Sequence, residues 1–202
     1  MKVDIHKNVL SPNEYEILDS AITNDEFPWY FSPHHLESTY RSDEPNLCHF
    51  THSIFDESQS SIIHGGMRGD KTALSQSNSG FVKKCFNRSE SITNFMDINY
   101  GPSQLLRCKA NLYTNQGQSI HYKDHIDQSD MVQWVPYSGY VNEKIIIAIL
   151  SVGESNGGTV IGDTFYESEK NQLIVFDNIP HHGVSQTDSQ TRICINYNFL
   201  MY

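Results

Sequence analysis

The sequence has no apolar run approaching the roughly 20 residues that a membrane-spanning helix needs. Its opening, Met1-Lys2-Val3-Asp4-Ile5-His6, lacks the apolar centre of a secretory signal, so a cytoplasmic protein is expected. Cationic side chains are scarce. Lys and Arg number 14 against 24 Asp and Glu, for a formal charge of −10, and no basic run stands out. That argues against nucleic acid as a partner, because phosphate binding rests on clustered Lys and Arg. Cysteine is also sparse: Cys48, Cys85, Cys108 and Cys194 form no Cys-x-x-Cys pair, which excludes a zinc ribbon and a thioredoxin-type site. In a chain of 202 residues these four are expected as reduced, partly buried thiols rather than a disulfide framework. Repeats and low-complexity linkers are absent too. With 38% hydrophobic and 19% charged residues, one globular domain over 1–202 is expected.

The first half reads as support. Ser11-Pro12-Asn13-Glu14 carries a helix N-cap, a proline at the first helical position and an acid in the first turn. Tyr15, Ile17, Leu18 and Ile22 continue an apolar helical face. Phe27-Pro28-Trp29-Tyr30-Phe31 suits either a hydrophobic plug over a sheet or one wall of a substrate entrance. His34-His35 is a weak metal signal, and Cys48 to Phe55 alternates as a strand in which His49 and His52 are expected as surface or core residues. The polar, Gly- and Ser-rich stretch 58–79 reads as a loop or lid. Phe81, Val82, Cys85, Phe86, Ile92, Phe95 and Met96 predict a second helix, broken near Asn87-Arg88-Ser89 and stopped by Gly101-Pro102.

The second half changes texture. Leu105 to Thr114, Lys144 to Val152, Gln172 to Phe176 and Thr191 to Leu200 are strand-length runs. Between them fall turn signals such as Asn115-Gln116-Gly117, Ser155-Asn156-Gly157-Gly158 and Asp177-Asn178-Ile179-Pro180. The expected fold is mainly β with packing helices: helical support mainly in 1–100, and a jelly-roll or cupin-like barrel mainly in 103–202.

The chemistry concentrates in two stretches, His121-Tyr122-Lys123-Asp124-His125-Ile126-Asp127 and Asp177 to Val184. On extended backbone His125 and Asp127 present an imidazole and a carboxylate to one side. A third ligand from His182 would complete two histidines and one carboxylate, a set that suits non-haem Fe(II) and leaves positions open for a cosubstrate and dioxygen. Arg192 lies within the apolar run Ile193-Cys194-Ile195, where an unpaired guanidinium is costly. Its planar fork suits the far carboxylate of a chelating dicarboxylate, and a salt bridge to one of the many acids is the plain alternative.

These residues resemble the 2-oxoglutarate- and Fe(II)-dependent dioxygenases, in particular the prolyl-hydroxylase-like branch and the small oxygenases of marine phages. The resemblance rests on Lys109-Ala110-Asn111-Leu112-Tyr113, His125-Ile126-Asp127, Asn156-Gly157-Gly158-Thr159, Phe176-Asp177, His182-Gly183-Val184 and Arg192 to Phe199. It covers about 105–200 and reaches loosely to Pro28-Trp29-Tyr30 and Phe50-Thr51-His52. It implies a double-stranded β-helix and iron held by His125, Asp127 and His182. Arg192 would bind 2-oxoglutarate, a position where many members carry Lys, and Asn111 and Tyr113 would hydrogen-bond it. The implied reaction hydroxylates a protein side chain of prolyl type, or a small molecule, with release of succinate and CO2. If a phage encodes the chain, the compartment is the host cytoplasm. Of the adjacent His181 and His182 only one can face the metal; His182 fits the family-like spacing of ten residues to Arg192. His121 remains a residue beside the ligands or the substrate. The alternative is a cupin-like binding module without oxidation chemistry.

Overall fold

The computed structural model describes residues 2–32, 48–56, 80–127 and 144–202. In chain order the elements are β1 (Val3–Lys7), α1 (Pro12–Ile22), β2 (Tyr30–Ser32), β3 (His49–Asp56), α2 (Gly80–Tyr100), β4 (Ser103–Thr114) and β5 (Lys144–Ser151). They continue with β6 (Ser155–Ile161), β7 (Thr164–Ser168), β8 (Gln172–Asp177), β9 (His181–Val184) and β10 (Thr191–Met201). Seven strands form one antiparallel sheet in the order β1-β8-β5-β10-β4-β3-β2, and three form a second in the order β7-β6-β9.

The alternation of β10 explains the architecture. Ile193, Ile195, Tyr197 and Phe199 fall on one face and join a core with Cys108 and Ala110 of β4, Ala148 and Leu150 of β5, and Leu173 and Val175 of β8. Both helices cover this face, contributing Leu18 and Ile22 from α1 and Cys85, Ile92 and Met96 from α2. Each of these aliphatic side chains contributes roughly 1.5–3 kcal/mol when fully buried. The opposite face of the large sheet meets the small one. Tyr113, Ile147, Ile149, Ile174, Phe176 and Cys194 pack there with Ile161, Ile120 and Tyr122. The two facing sheets make a jelly roll, the double-stranded β-helix expected for the second half, and among the described residues the helices fall before residue 101.

Local chemistry accounts for the ends of the helices. Ser11 and Glu14 form a reciprocal capping box with Pro12 in the first turn, so two orphan donors of the first turn are satisfied. Gly101, at φ 103, ends α2 in a conformation that glycine adopts without strain. The expected break at Asn87-Arg88-Ser89 does not occur: α2 runs unbroken from Gly80 to Tyr100. Two polar residues there find partners within the helix pair. Ser89 donates its hydroxyl to the Phe86 carbonyl, and Arg88 lies 3.5 Å from Glu14 of α1. β1 was not expected, because Asp4, His6 and Lys7 obscure its alternation; it is an edge strand paired with β8.

The aromatic segment divides. Phe27 is buried against Trp29 and His52, whereas Tyr30 and Phe31 of β2 are about 60% exposed. His52 is a core residue with Nδ1 at 2.8 Å from the Pro28 carbonyl. The 58–79 stretch and His34-His35 lie outside the described residues. Among the described residues, no helix is long and apolar enough to cross a membrane.

Candidate metal centre

Three side chains meet at one end of the barrel. The segment after β4 returns along β9: Tyr122 N–H donates to the Gly183 carbonyl, and His125 and His181 exchange two backbone hydrogen bonds of 3.0 Å. That exchange sets the two imidazoles side by side, with ring centroids 4.5 Å apart. Asp127 is fixed by Asn178 of the turn before β9, which accepts from the Asp127 N–H at 3.1 Å and donates to its carbonyl at 2.6 Å. One ligand atom each from His125, Asp127 and His181 lies within 4.8 Å of the others. Donors at about 2.0–2.2 Å from one metal ion fall within such a spread.

The surroundings hold each donor in its ligating form. Nδ1 of His181 lies 2.8 Å from the Ile179 carbonyl and Nδ1 of His125 lies 3.3 Å from the Lys123 carbonyl. A carbonyl only accepts, so Nδ1 carries a proton in both rings and Nε2 is the nitrogen left to ligate. His181 Nε2 is buried without a partner among the described residues. Burial, followed by neighbouring His181, pushes the His125 pKa down, which favours the neutral imidazole. On Asp127, Oδ2 accepts from the side-chain amides of both Asn196 and Asn198, at 2.7 and 2.8 Å. Oδ1 is left facing His125 Nε2 at 3.5 Å. Burial alone would raise the Asp127 pKa; Arg107, His181, His125 and the Asn198 amide outweigh it and hold the carboxyl at about 2. The acid is an anion at neutral pH.

His182, expected as the third ligand, is not brought together with His125 and Asp127. Successive residues of a strand point to opposite sides, and with His181 buried at the centre His182 faces outward. Its Nδ1 pairs with Asp124 at 2.7 Å and its Nε2 with His121 Nδ1 at 3.1 Å. His121 belongs to that exterior pair as well. The count from the inward histidine to Arg192 is therefore eleven residues.

Arg192 lies on the inner face of β10 and is buried. Its Nε donates to Ser168 Oγ at 2.7 Å, an Nη donates to Thr159 Oγ1 at 3.3 Å, and the guanidinium stacks 4.9 Å over the Tyr113 ring. The other Nη is buried without a partner, and no carboxylate of the described residues pairs with it. The salt-bridge alternative thus finds no support here. Two glycines make the room: a Cβ on Gly157 would lie 3.0 Å from Arg192 Cδ, and one on Gly183 would lie 2.9 Å from Tyr113 Oη. Asn111 sits one inward position along β4, opposite Cys194, and is buried. Burial pushes the phenols of Tyr113 and Tyr122 upward, the latter to about 12, so both remain hydrogen-bond donors. His49 stacks on Tyr113 at 5.5 Å and forms part of this wall.

Sequence reasoning missed Thr159 and Ser168 as partners of Arg192, and Asn178, Asn196 and Asn198 as partners of Asp127. The last two had a legible signal: two amides on the inward register of a strand whose other face is wholly apolar.

Neither a protein-family model nor a curated protein matches the sequence. Solved structures do. A 2OG-Fe(II) oxygenase family oxidoreductase from Burkholderia pseudomallei matches with a TM-score of 0.55 at 10% identity, over 98% of this chain and 84% of that one. A prolyl hydroxylase from Trichoplax adhaerens, solved with a hypoxia-inducible factor peptide, matches with a TM-score of 0.54 at 13% identity, covering 98% and 82%. The viral collagen prolyl hydroxylase of Paramecium Bursaria Chlorella virus-1, in complex with 2OG, matches with a TM-score of 0.50 at 12% identity, covering 100% and 97%. The chain has the fold of the 2-oxoglutarate- and Fe(II)-dependent oxygenases, with prolyl hydroxylases among its structural neighbours.

Proposed function

We propose that the protein is an Fe(II)- and 2-oxoglutarate-dependent dioxygenase, with iron held by His125, Asp127 and His181. The observation that carries this reading is the pairing of two unsatisfied groups inside one barrel. His181 Nε2 lacks a partner in a two-histidine, one-carboxylate cluster, and an Nη of Arg192 lacks one on β10 of the facing sheet. Two neutral imidazoles and one carboxylate form a facial set suited to Fe(II) that leaves positions for a chelating cosubstrate and dioxygen. When bound, iron and 2-oxoglutarate supply the oxidation of a substrate C–H bond coupled to formation of succinate and CO2.

The chain's own residues do the positioning. Asn196 and Asn198 occupy Oδ2 of Asp127, leaving Oδ1 to ligate. The Ile179 and Lys123 carbonyls fix the imidazole tautomers. Arg192, braced by Ser168 and Thr159, offers its remaining N–H groups to the far carboxylate of 2-oxoglutarate, and Asn111 and Tyr113 supply neighbouring polar contacts. Burial of this arginine strengthens a charge-assisted bond and excludes competing water. Hydroxylation of a protein side chain, as in the prolyl hydroxylases among the structural neighbours, or of a small molecule is the proposed outcome, and a cytoplasmic setting accords with four unpaired thiols.

The test is anaerobic addition of Fe(II) and then 2-oxoglutarate, followed by visible absorption. The expected result is a weak metal-to-ligand charge-transfer band that is absent in Asp127→Ala. A folded wild-type protein without the band would be a cupin-like binding module instead.

A further inference from the structure

The inward face of β4 carries more positive charge than the metal centre uses. Arg107, Lys109, Asn111 and Tyr113 follow one another along this face, opposite Asn198, Asn196, Cys194 and Arg192 of β10. The proposed cosubstrate end is built around Arg192 and Tyr113. Four residues separate Arg192 from Asn196, about 13 Å at the usual rise of a strand, which is longer than an extended five-carbon dicarboxylate. The far carboxylate held at Arg192 therefore does not reach the Arg107–Lys109 end.

Among the described residues, two cations at that end share one acid, Asp127. Among the described residues Asp127 is the acid that faces them, and it is already engaged: both amides occupy Oδ2, and Oδ1 is turned to His125, with Arg107 more distant at 3.9 Å. Lys109 is partly buried and makes no hydrogen bond or ion pair with any described residue. Its electrostatic neighbours are Arg107, Asp127 and Cys194, and it acts on His125 as well. A divalent ion on the three ligands would add to this positive charge. Beside the cations, the side-chain carbonyls of Asn196 and Asn198 are buried acceptors with no donor. Enclosed ammonium groups and amide carbonyls left without partners are costly, and a substrate bearing an anion next to an N–H or O–H group would satisfy both.

We infer that Lys109 and Arg107 form a substrate subsite for a carboxylate, so that the molecule oxidised is a small acid or acyl amino acid carrying a free carboxylate. This rests on the oxygenase reading and names the substrate class for the same site. The carboxylate lies across Lys109 and Arg107, and a neighbouring N–H or O–H donates to the Asn196 and Asn198 carbonyls. Neutral analogues of the same shape leave the two cations sharing Asp127.

The test uses the anaerobic Fe(II)- and 2-oxoglutarate-loaded protein with a panel of N-acetyl amino acids, each as the free acid and as its primary amide. Binding is read by calorimetry and by perturbation of the charge-transfer band. A charge-assisted pair predicts that at least one acid binds about ten- to a hundredfold more tightly than its amide. In Lys109→Met that preference falls to within about twofold while 2-oxoglutarate affinity is retained. The acid-to-amide comparison in the wild-type protein stands without the variant. Equal affinity for acids and amides, or no binding of any acid to protein that shows the band, overturns the inference. Loss of 2-oxoglutarate affinity in Lys109→Met overturns it too, by assigning the lysine to the cosubstrate. Absence of the band in wild type is a different failure, that of the oxygenase reading itself.

Discussion

Replacing Arg192 by Met separates the oxygenase reading from a binding-module reading. Methionine keeps much of the apolar stem that packs over Tyr113 and removes the guanidinium. What is lost in the free protein is small: hydrogen bonds to Ser168 and Thr159, about 1 kcal/mol each. What is lost to 2-oxoglutarate is larger. The unpartnered Nη and its neighbour meet a carboxylate in a buried setting, and charge-assisted bonds contribute about 1.5–3 kcal/mol apiece. Two such bonds correspond to a loss of roughly two to four powers of ten in affinity. The assay is a titration of the anaerobic Fe(II) protein with 2-oxoglutarate, and in parallel with 2-oxobutyrate, which chelates equally but lacks the far carboxylate. The variant is expected to bind the two compounds alike, at the weak level that wild type shows for 2-oxobutyrate. If Arg192→Met binds 2-oxoglutarate within about threefold of wild type, Arg192 does not receive the cosubstrate and the assignment fails.

Three further outcomes follow from the same geometry. Asn198→Leu removes one of the two amides holding Asp127 Oδ2 and is expected to weaken Fe(II) or Zn(II) binding about 10- to 100-fold; calorimetry with unchanged affinity would show that the amide positions nothing. Lys109 has its pKa lowered from 10.5 to about 8, chiefly by burial. Between those values the unfolded chain binds more protons than the folded one, so metal-free protein gains stability as pH rises from 8 to 10.5. Lys109→Met should flatten that rise and add up to about 3 kcal/mol at pH 7, measured by urea unfolding across pH. Gly183→Ala sets a Cβ 2.9 Å from Tyr113 Oη and is expected to lower the melting temperature by several degrees, as overpacking costs about 1–3 kcal/mol.

The barrel was legible where one strand face is wholly apolar. β4, β5, β8 and β10 all lie within a few residues of the runs read from the sequence, because burial on alternating positions leaves a period that no other element mimics. β1 escaped notice because an edge strand needs only one buried face and tolerates Asp4 and Lys7. The centre was legible in part. His125 and Asp127 are two apart on extended backbone, so their shared side follows from covalent geometry. The choice between His181 and His182 did not follow, because it depends on which residue pairs with His125 across the two segments, a register that a count of residues to Arg192 cannot set. Thr159 and Ser168 were invisible for a similar reason: they reach Arg192 from β6 and β7 of the opposite sheet, and only the closure of the barrel brings them there.

The most direct test of the account is the charge-transfer band formed by anaerobic Fe(II) and 2-oxoglutarate, compared among wild type, His181→Ala and His182→Ala. The structure turns His181 Nε2 to the centre and ties His182 to Asp124 and His121 on the outside. The band is predicted in wild type and in His182→Ala, and is predicted to vanish in His181→Ala while that variant remains folded. A band that survives in His181→Ala and disappears in His182→Ala would contradict the account.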